Sequence, residues 1–326
     1  MRMAFLGKWY VRVACIAAFF MFSAGIGMVV SEWRDATCSK QHEFINSSVV
    51  CGKKPVLRKT GYAETQQKIS EFIEAERAAE NVSEVAIYFR DLKNGPVFGI
   101  NETASFAPAS LLKLPLALAY LFEAERTPAL LAQELAFEDT GRDIYQDFLP
   151  TVAIKEENAY SVEELLRRML AYSDNLAYEL VETHLVKTYG GDFIRDIYLE
   201  LGIIAPEDAY TEVVSVRRYA SIFRILYNVS FLTPEYSEKA LAWLAEADFS
   251  AGLLAGVPAH IRVAHKFGER VNDEGAKQLH DCGIVYYPEN PYLLCVMTRG
   301  DDFKELASVI ASISKEVYEE VNSRRL

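Results

Sequence analysis

Apolar and polar positions divide this chain into three stretches. Val13 to Val30 (VACIAAFFMFSAGIGMVV) carries no charge and reaches the length at which a helix can span a bilayer. Residues 35–60 are polar and read as a linker. From residue 62 the pattern becomes regular. Residues 62–80, rich in Glu, Ala and Gln, predict an amphipathic helix. Val85 to Arg90 alternates as a strand, Asp91 to Gly95 reads as a turn, and Pro96 to Ile100 returns as a second strand. From about Ser110 the run SLLKLPLALAYLF is apolar almost all round, which predicts a helix buried in the core. Pro115 lies early in it, where a lost backbone bond costs least.

Residues 130–250 are mainly helical in pattern. Ser161-Val-Glu-Glu164 forms a capping box ahead of Leu165, Leu166, Met169 and Leu170. Asn175 to Tyr189 predicts a helix stopped by Gly190-Gly191, and Ser215 caps another through Tyr227. Three strand-like runs follow: His260 to His265, Cys282 to Tyr287, and Tyr292 to Thr298. Asp301 to Val321 closes the chain as an amphipathic helix. Strands at both ends with helices between them predict an α+β fold. An antiparallel five-stranded sheet, flanked by terminal helices, is completed by distant parts of the chain, and an all-helical lobe is inserted into it. A cleft between two such lobes is a natural ligand site.

Composition changes this picture little. In 326 residues, 51% hydrophobic and 25% charged, a packed core is affordable. Beyond residue 34 the chain holds 30 basic and 45 acidic residues, net −15, which excludes nucleic acid as a partner on electrostatic grounds. Arg2, Lys8 and Arg12 precede the apolar run, and Tyr10 and Trp33 flank it. This favours a cytoplasmic N-terminus, a single-pass anchor and an extracytoplasmic remainder. No clear A-x-A site follows the run, so an uncleaved anchor is preferred to a signal peptide. The expected division is residues 1–34 as tail and transmembrane anchor, 35–60 as linker and 61–326 as the main domain. Cys38 with Cys51, and Cys282 with Cys295, could each close a disulfide outside the cell; spacing alone leaves both open.

Three short motifs carry candidate chemistry. In Ser110-Leu-Leu-Lys113 three residues' separation on a helix puts both side chains on one face. A serine hydroxyl needs a neighbouring base, and a lysine kept neutral by burial can serve. A second S-x-x-K, Ser312 to Lys315, falls on the closing helix and reads as solvated surface. Ser173-Asp174-Asn175 sits between two helices, where its simplest role is an N-cap. Its chemical reading makes Ser173 a proton relay towards a leaving group, while Asn175 binds a substrate amide or holds Lys113. Lys266-Phe267-Gly268 ends the predicted strand at His265; Lys266 would place positive charge opposite the serines, and Gly268 would let a substrate backbone approach closely. No metal-spaced histidine pair, phosphate loop or G-x-S-x-G is present, and no cofactor is expected.

S-x-x-K, S-D-N and K-T-G mark class A β-lactamases and penicillin-binding proteins. Here SLLK, SDN and KFG follow in that order, and FAPASLLKLPLALAYL, HKFGERV, CGIVYY and YLLCVMTRG resemble the nucleophile region and closing sheet of that family over about residues 62–322. The resemblance implies a β-lactamase/transpeptidase-like fold and a serine hydrolase or acyltransferase without cofactor. It implies Ser110 as nucleophile, Lys113 as base, and Ser173 with Lys266 relaying a proton to the leaving nitrogen and attracting a substrate carboxylate. Asn175 and Gly268 would line the substrate, and the backbone N–H groups of Ser110 and Glu269 would form the oxyanion hole. Two departures stand out. The stretch LGIIAPEDAYTEVVSVRRYA is short for the loop that carries a water-orienting glutamate in β-lactamases, with Glu207, Asp208 and Glu212 as candidates; Phe267 replaces the usual Thr or Ser. The expected partner is a peptidoglycan peptide, acted on by a membrane-anchored D,D-peptidase or transpeptidase. The alternatives are a β-lactamase acting on β-lactams and a non-hydrolytic binding or sensing domain.

Overall fold

The computed structural model describes residues 42–52, 61–93, 95–136, 146–155, 158–203 and 213–324. The apolar run Val13 to Val30, Cys38 and the acids Glu207, Asp208 and Glu212 lie outside the described residues. Among the described residues no helix is long and apolar enough to cross a membrane.

After α1 (Ala63–Ala78) come β1 (Glu84–Asp91) and β2 (Val97–Ile100), then α2 (Lys113–Arg126). The helical lobe comprises α3 (Val162–Ala171), α4 (Asn175–Tyr189), α5 (Gly191–Glu200), α6 (Val216–Tyr227) and α7 (Pro234–Leu244). β3 (Val263–Val271), β4 (Lys277–Val285), β5 (Tyr292–Gly300) and α8 (Phe303–Ser323) finish the chain. The five strands form one antiparallel sheet in the order β2-β1-β5-β4-β3. The first strand therefore pairs with the last, from Glu84 opposite Arg299 to Asp91 opposite Tyr292. Alternation along β1 separates two cores. Ala86 and Tyr88 face the helical lobe, while Val85, Ile87 and Phe89 face α1 and α8.

The strands expected at His260 to His265 and Cys282 to Tyr287 instead run Val263–Val271 and Lys277–Val285, joined through a turn at Gly275 with φ 86°. The shift has a physical cause. Gln278, His280 and Asp281 are polar yet buried, which broke the apolar run that would have marked β4. Lys266 thus lies within β3 rather than at its end. Cys282 and Cys295 stand opposite each other on β4 and β5 and form a disulfide. Cys51 is also disulfide-bonded; Cys38, its expected partner, lies outside the described residues. Part of the expected linker docks on the helical lobe. Phe44 and Ile45 are buried, and the backbone N–H groups of Glu43, Phe44 and Ile45 all donate to the Glu238 carboxylate.

Candidate active site

Ser110 lies in a single turn of 3-10 helix, Ala109–Leu112, that leads into α2. Several groups fix this turn. Ala107 donates its N–H to Gln278 Oε1 at 3.1 Å, and its carbonyl accepts from His280 Nε2 at 3.0 Å. Thr298 N–H donates to His280 Nδ1 at 3.3 Å, which makes the ring neutral with its proton on Nε2. Burial pushes the His280 pKa down to about 4. Tyr219 Oη on α6 donates to the Leu111 carbonyl at 3.0 Å. Ala109 takes a left-handed φ of 50°, a rare conformation outside glycine, and so bends the chain just before Ser110. The Ser110 side chain is half-buried, and among the described residues its hydroxyl makes no hydrogen bond.

Lys113 opens α2 and is only 2% exposed. Its Nζ donates to the Ser173 carbonyl at 2.5 Å, to Ser173 Oγ at 3.1 Å and to Asn175 Oδ1 at 2.5 Å. Across the cleft Lys266 Nζ donates to Ser173 Oγ at 2.9 Å and to the Phe267 carbonyl at 3.0 Å. The buried Ser173 hydroxyl therefore sits between two lysines. Its backbone is held at φ 53° in the connection between α3 and α4. Asp174 stabilises that connection: Oδ1 caps α4 by accepting from Ala177 N–H, and Oδ2 accepts from Ile154 N–H.

Burial disfavours the charged form of both lysines. Desolvation, and then the charge of Lys266, hold the Lys113 pKa well below the ordinary 10.5, against the pull of Asp174 and Glu269. Desolvation lowers Lys266 to about 7, opposed by Asp281, Asp248 and Glu269. Burial thus moves Lys113 towards its neutral amine, and near neutral pH Lys266 holds a proton readily exchanged. That state suits proton transfer through Ser173.

Gly268 also has a packing role that its sequence did not suggest. A Cβ there would stand 3.0 Å from Leu111 Cγ and from the Pro108 carbonyl oxygen. Its empty side chain is filled by the turn that carries Ser110, so the glycine seats that turn on β3. Phe267 points to the opposite face of β3 from Lys266, as the two-residue period requires. There it stacks on Phe249 with centroids 4.2 Å apart, while Phe148 packs edge-on to both rings and to Phe303. Glu269 Oε1 accepts the Phe148 N–H at 3.0 Å. Burial raises the Glu269 pKa, partly offset by that N–H. Gln146 reaches the other way and donates to the Ser173 carbonyl at 3.3 Å. Residues 146–148 therefore strap Ser173 to the far face of β3.

Of the residues singled out in the sequence, the structure joins Lys113, Ser173, Asn175 and Lys266 by hydrogen bonds and packs Gly268 against the turn that holds Ser110, with Glu269 next along β3 bonded to Phe148. Sequence reasoning missed Gln146, Phe148, Gln278, His280 and Tyr219. These act on the site from 27 to 173 residues away in the chain, and no local spacing signals them. His265, next to Lys266 in the chain, bonds Asp281 at 2.8 Å. The second S-x-x-K is surface, with Ser312 and Lys315 exposed on α8.

Comparison with known proteins agrees with this fold. The sequence model described as the beta-lactamase enzyme family matches residues 64–321. A variant of PBP-A, solved as an acyl-enzyme complex with penicillin G, superposes with a TM-score of 0.67 at 20% identity, covering 82% of this chain and 100% of that one. A β-lactamase from Chitinophaga pinensis gives 0.67 at 20% identity over 79% and 100% of the two chains. A class A β-lactamase from Mycobacterium abscessus gives 0.66 at 19% over 78% and 98%. No curated protein sequence matches the chain.

Proposed function

The chain belongs to the beta-lactamase enzyme family, and from that premise we propose a membrane-anchored, penicillin-recognising serine acyltransferase that acts on cell-wall peptides from outside the cell. The observation that carries the proposal is the Ser173 hydroxyl held at 3.1 Å and 2.9 Å between two buried lysines. Lys113, which burial shifts towards its neutral form, accepts the Ser110 proton as Ser110 Oγ attacks a substrate carbonyl. The C–O bond forms, and negative charge develops on the carbonyl oxygen. The N–H groups of Ser110 and Glu269 flank that oxygen; removing one such donor typically costs about 2.7–4 kcal/mol of barrier. The C–N bond then breaks, and Ser173 passes a proton to the departing nitrogen as Lys266 resupplies it. The uncharged run Val13 to Val30 and its basic flank support the anchor.

Incubation of the full-length chain with a fluorescent penicillin tests this reading. A label that persists, and that Ser110→Ala abolishes, is the expected result. A Ser110-dependent label that clears within minutes assigns β-lactam hydrolysis instead. Labelling that survives Ser110→Ala overturns the nucleophile. A protein that never labels, yet binds penicillin saturably with or without Ser110, is a non-hydrolytic binder.

A further inference from the structure

A second concave site lies at the other edge of the sheet. Its floor is built from same-face residues that register places side by side: Gly99 next to Tyr88, and Val97 next to Arg90 next to Leu293. Its wall is one face of α6, where Arg217, Ala220, Ser221 and Arg224 recur at helical spacing. The cavity measures about 360 Å³, within the range of small-ligand sites. Three guanidinium groups thus line one concavity in a chain of net charge −12. Glu102 neutralises one of them, pairing with Arg217 at 2.7 Å. Among the described residues the Arg90 and Arg224 guanidinium groups have no carboxylate and no hydrogen-bond partner. Tyr88 also lines the cavity. It is 8% exposed, and its hydroxyl has no partner among the described residues.

Two like charges facing one cavity disfavour the empty state, and the Tyr88 hydroxyl beside them is free to donate to an occupant. An occupant with two negative charges and several acceptor oxygens would meet both. We propose that this cavity binds a small dianion of the phosphate-monoester class, gripped by the Arg90 and Arg224 forks and by the Tyr88 hydroxyl. Guanidinium geometry matches phosphate oxygens two at a time, and a monoester carries close to two charges at neutral pH. The site shares no residue with the Ser110 cluster and stands independently of the proposed reaction.

The test is isothermal titration of the full-length chain with phenyl phosphate, at constant ionic strength set by sodium chloride. Saturable one-site binding is expected. Arg90→Gln and Arg224→Gln should each weaken it about 10-fold or more, and the double variant should abolish it. Ser221→Asp removes no arginine but places a carboxylate on the same helix face, and should block binding as well. Circular dichroism checks that each variant is folded. Absence of saturable binding at tens of millimolar overturns the proposal. So does binding that survives in the folded double variant, or succinate binding as tight as phenyl phosphate.

Discussion

Replacing Gly268 by alanine probes how closely the strand and the nucleophile turn must approach. The added Cβ would lie 3.0 Å from Leu111 Cγ, 3.0 Å from the Pro108 carbonyl oxygen and 3.1 Å from the Leu111 nitrogen. Two of these three are backbone atoms, so no side-chain rotation relieves the contact. The turn must shift by a few tenths of an ångström, and it is poorly placed to do so. Ala107 is gripped from β4 at both its N–H and its carbonyl, and Leu111 is held by Tyr219. Overpacking of this kind costs about 1–3 kcal/mol. For a domain of this size that lowers Tm by about 2–12 °C. The larger effect falls on the reaction. Ser110 and Glu269, whose N–H groups form the proposed oxyanion hole, are chain neighbours of Leu111 and Gly268, and a misplacement of about 1 Å can cost roughly 100-fold in rate. A smaller shift should slow acylation by about 10- to 100-fold. The assay is the second-order rate constant for penicillin labelling, measured beside Tm. Gly275→Ala supplies the control. Gly275 has φ 86° in the β3–β4 turn with nothing near its missing Cβ, so that variant should lose stability and keep its acylation rate. Labelling of Gly268→Ala at the wild-type rate would refute the reasoning.

Two pH dependences follow from the buried bases. Lys266 titrates near 7 in the folded protein and near 10.5 when unfolded, so between those values the unfolded chain holds more protons and stability rises with pH; Lys266→Met should flatten that rise in urea melts at pH 7 to 10, and an unchanged slope would exclude Lys266 as its source. His280 titrates at about 4 when folded against 6.5 when unfolded, so stability falls as pH drops from 6.5 to 4, by about 3 kcal/mol in all. His280→Gln should remove most of that acid sensitivity in the same melts, and a variant as acid-sensitive as wild type would assign the loss to other groups.

How legible each part was depended on where its partners lie. The α2 and α4 helices could be read because their signals are local: an apolar run behind Ser110, and a capping acid at Asp174 followed by glycine at residue 190. The early strand pair β1 and β2 could be read for the same reason. The strand β4 was half hidden because it buries Gln278, His280 and Asp281, and what satisfies them comes from elsewhere: Ala107, Leu253, His265 and Thr298. No periodicity argument can foresee a polar residue that is buried because a distant backbone needs it.

Phe267 makes the same point within the site. As a letter in a motif it stands for a missing hydroxyl. On a strand it stands on the face opposite Lys266, and that much follows from the two-residue period alone. What the period cannot supply is the occupant of that face. Phe148, Phe249 and Phe303 arrive from three separate segments and make residue 267 one wall of an aromatic cluster. The two faces of β3 therefore answer to different constraints. One face keeps Lys266 against Ser173 and leaves Gly268 bare beneath the Ser110 turn. The other anchors the segment that ties Gln146 to Ser173 and Phe148 to Glu269. Residue 267 links the two, because the Lys266 Nζ, which bonds Ser173, also lies 4.5 Å from the Phe267 ring centroid, so a change there reaches both the rim of the cleft and the proton-transfer cluster.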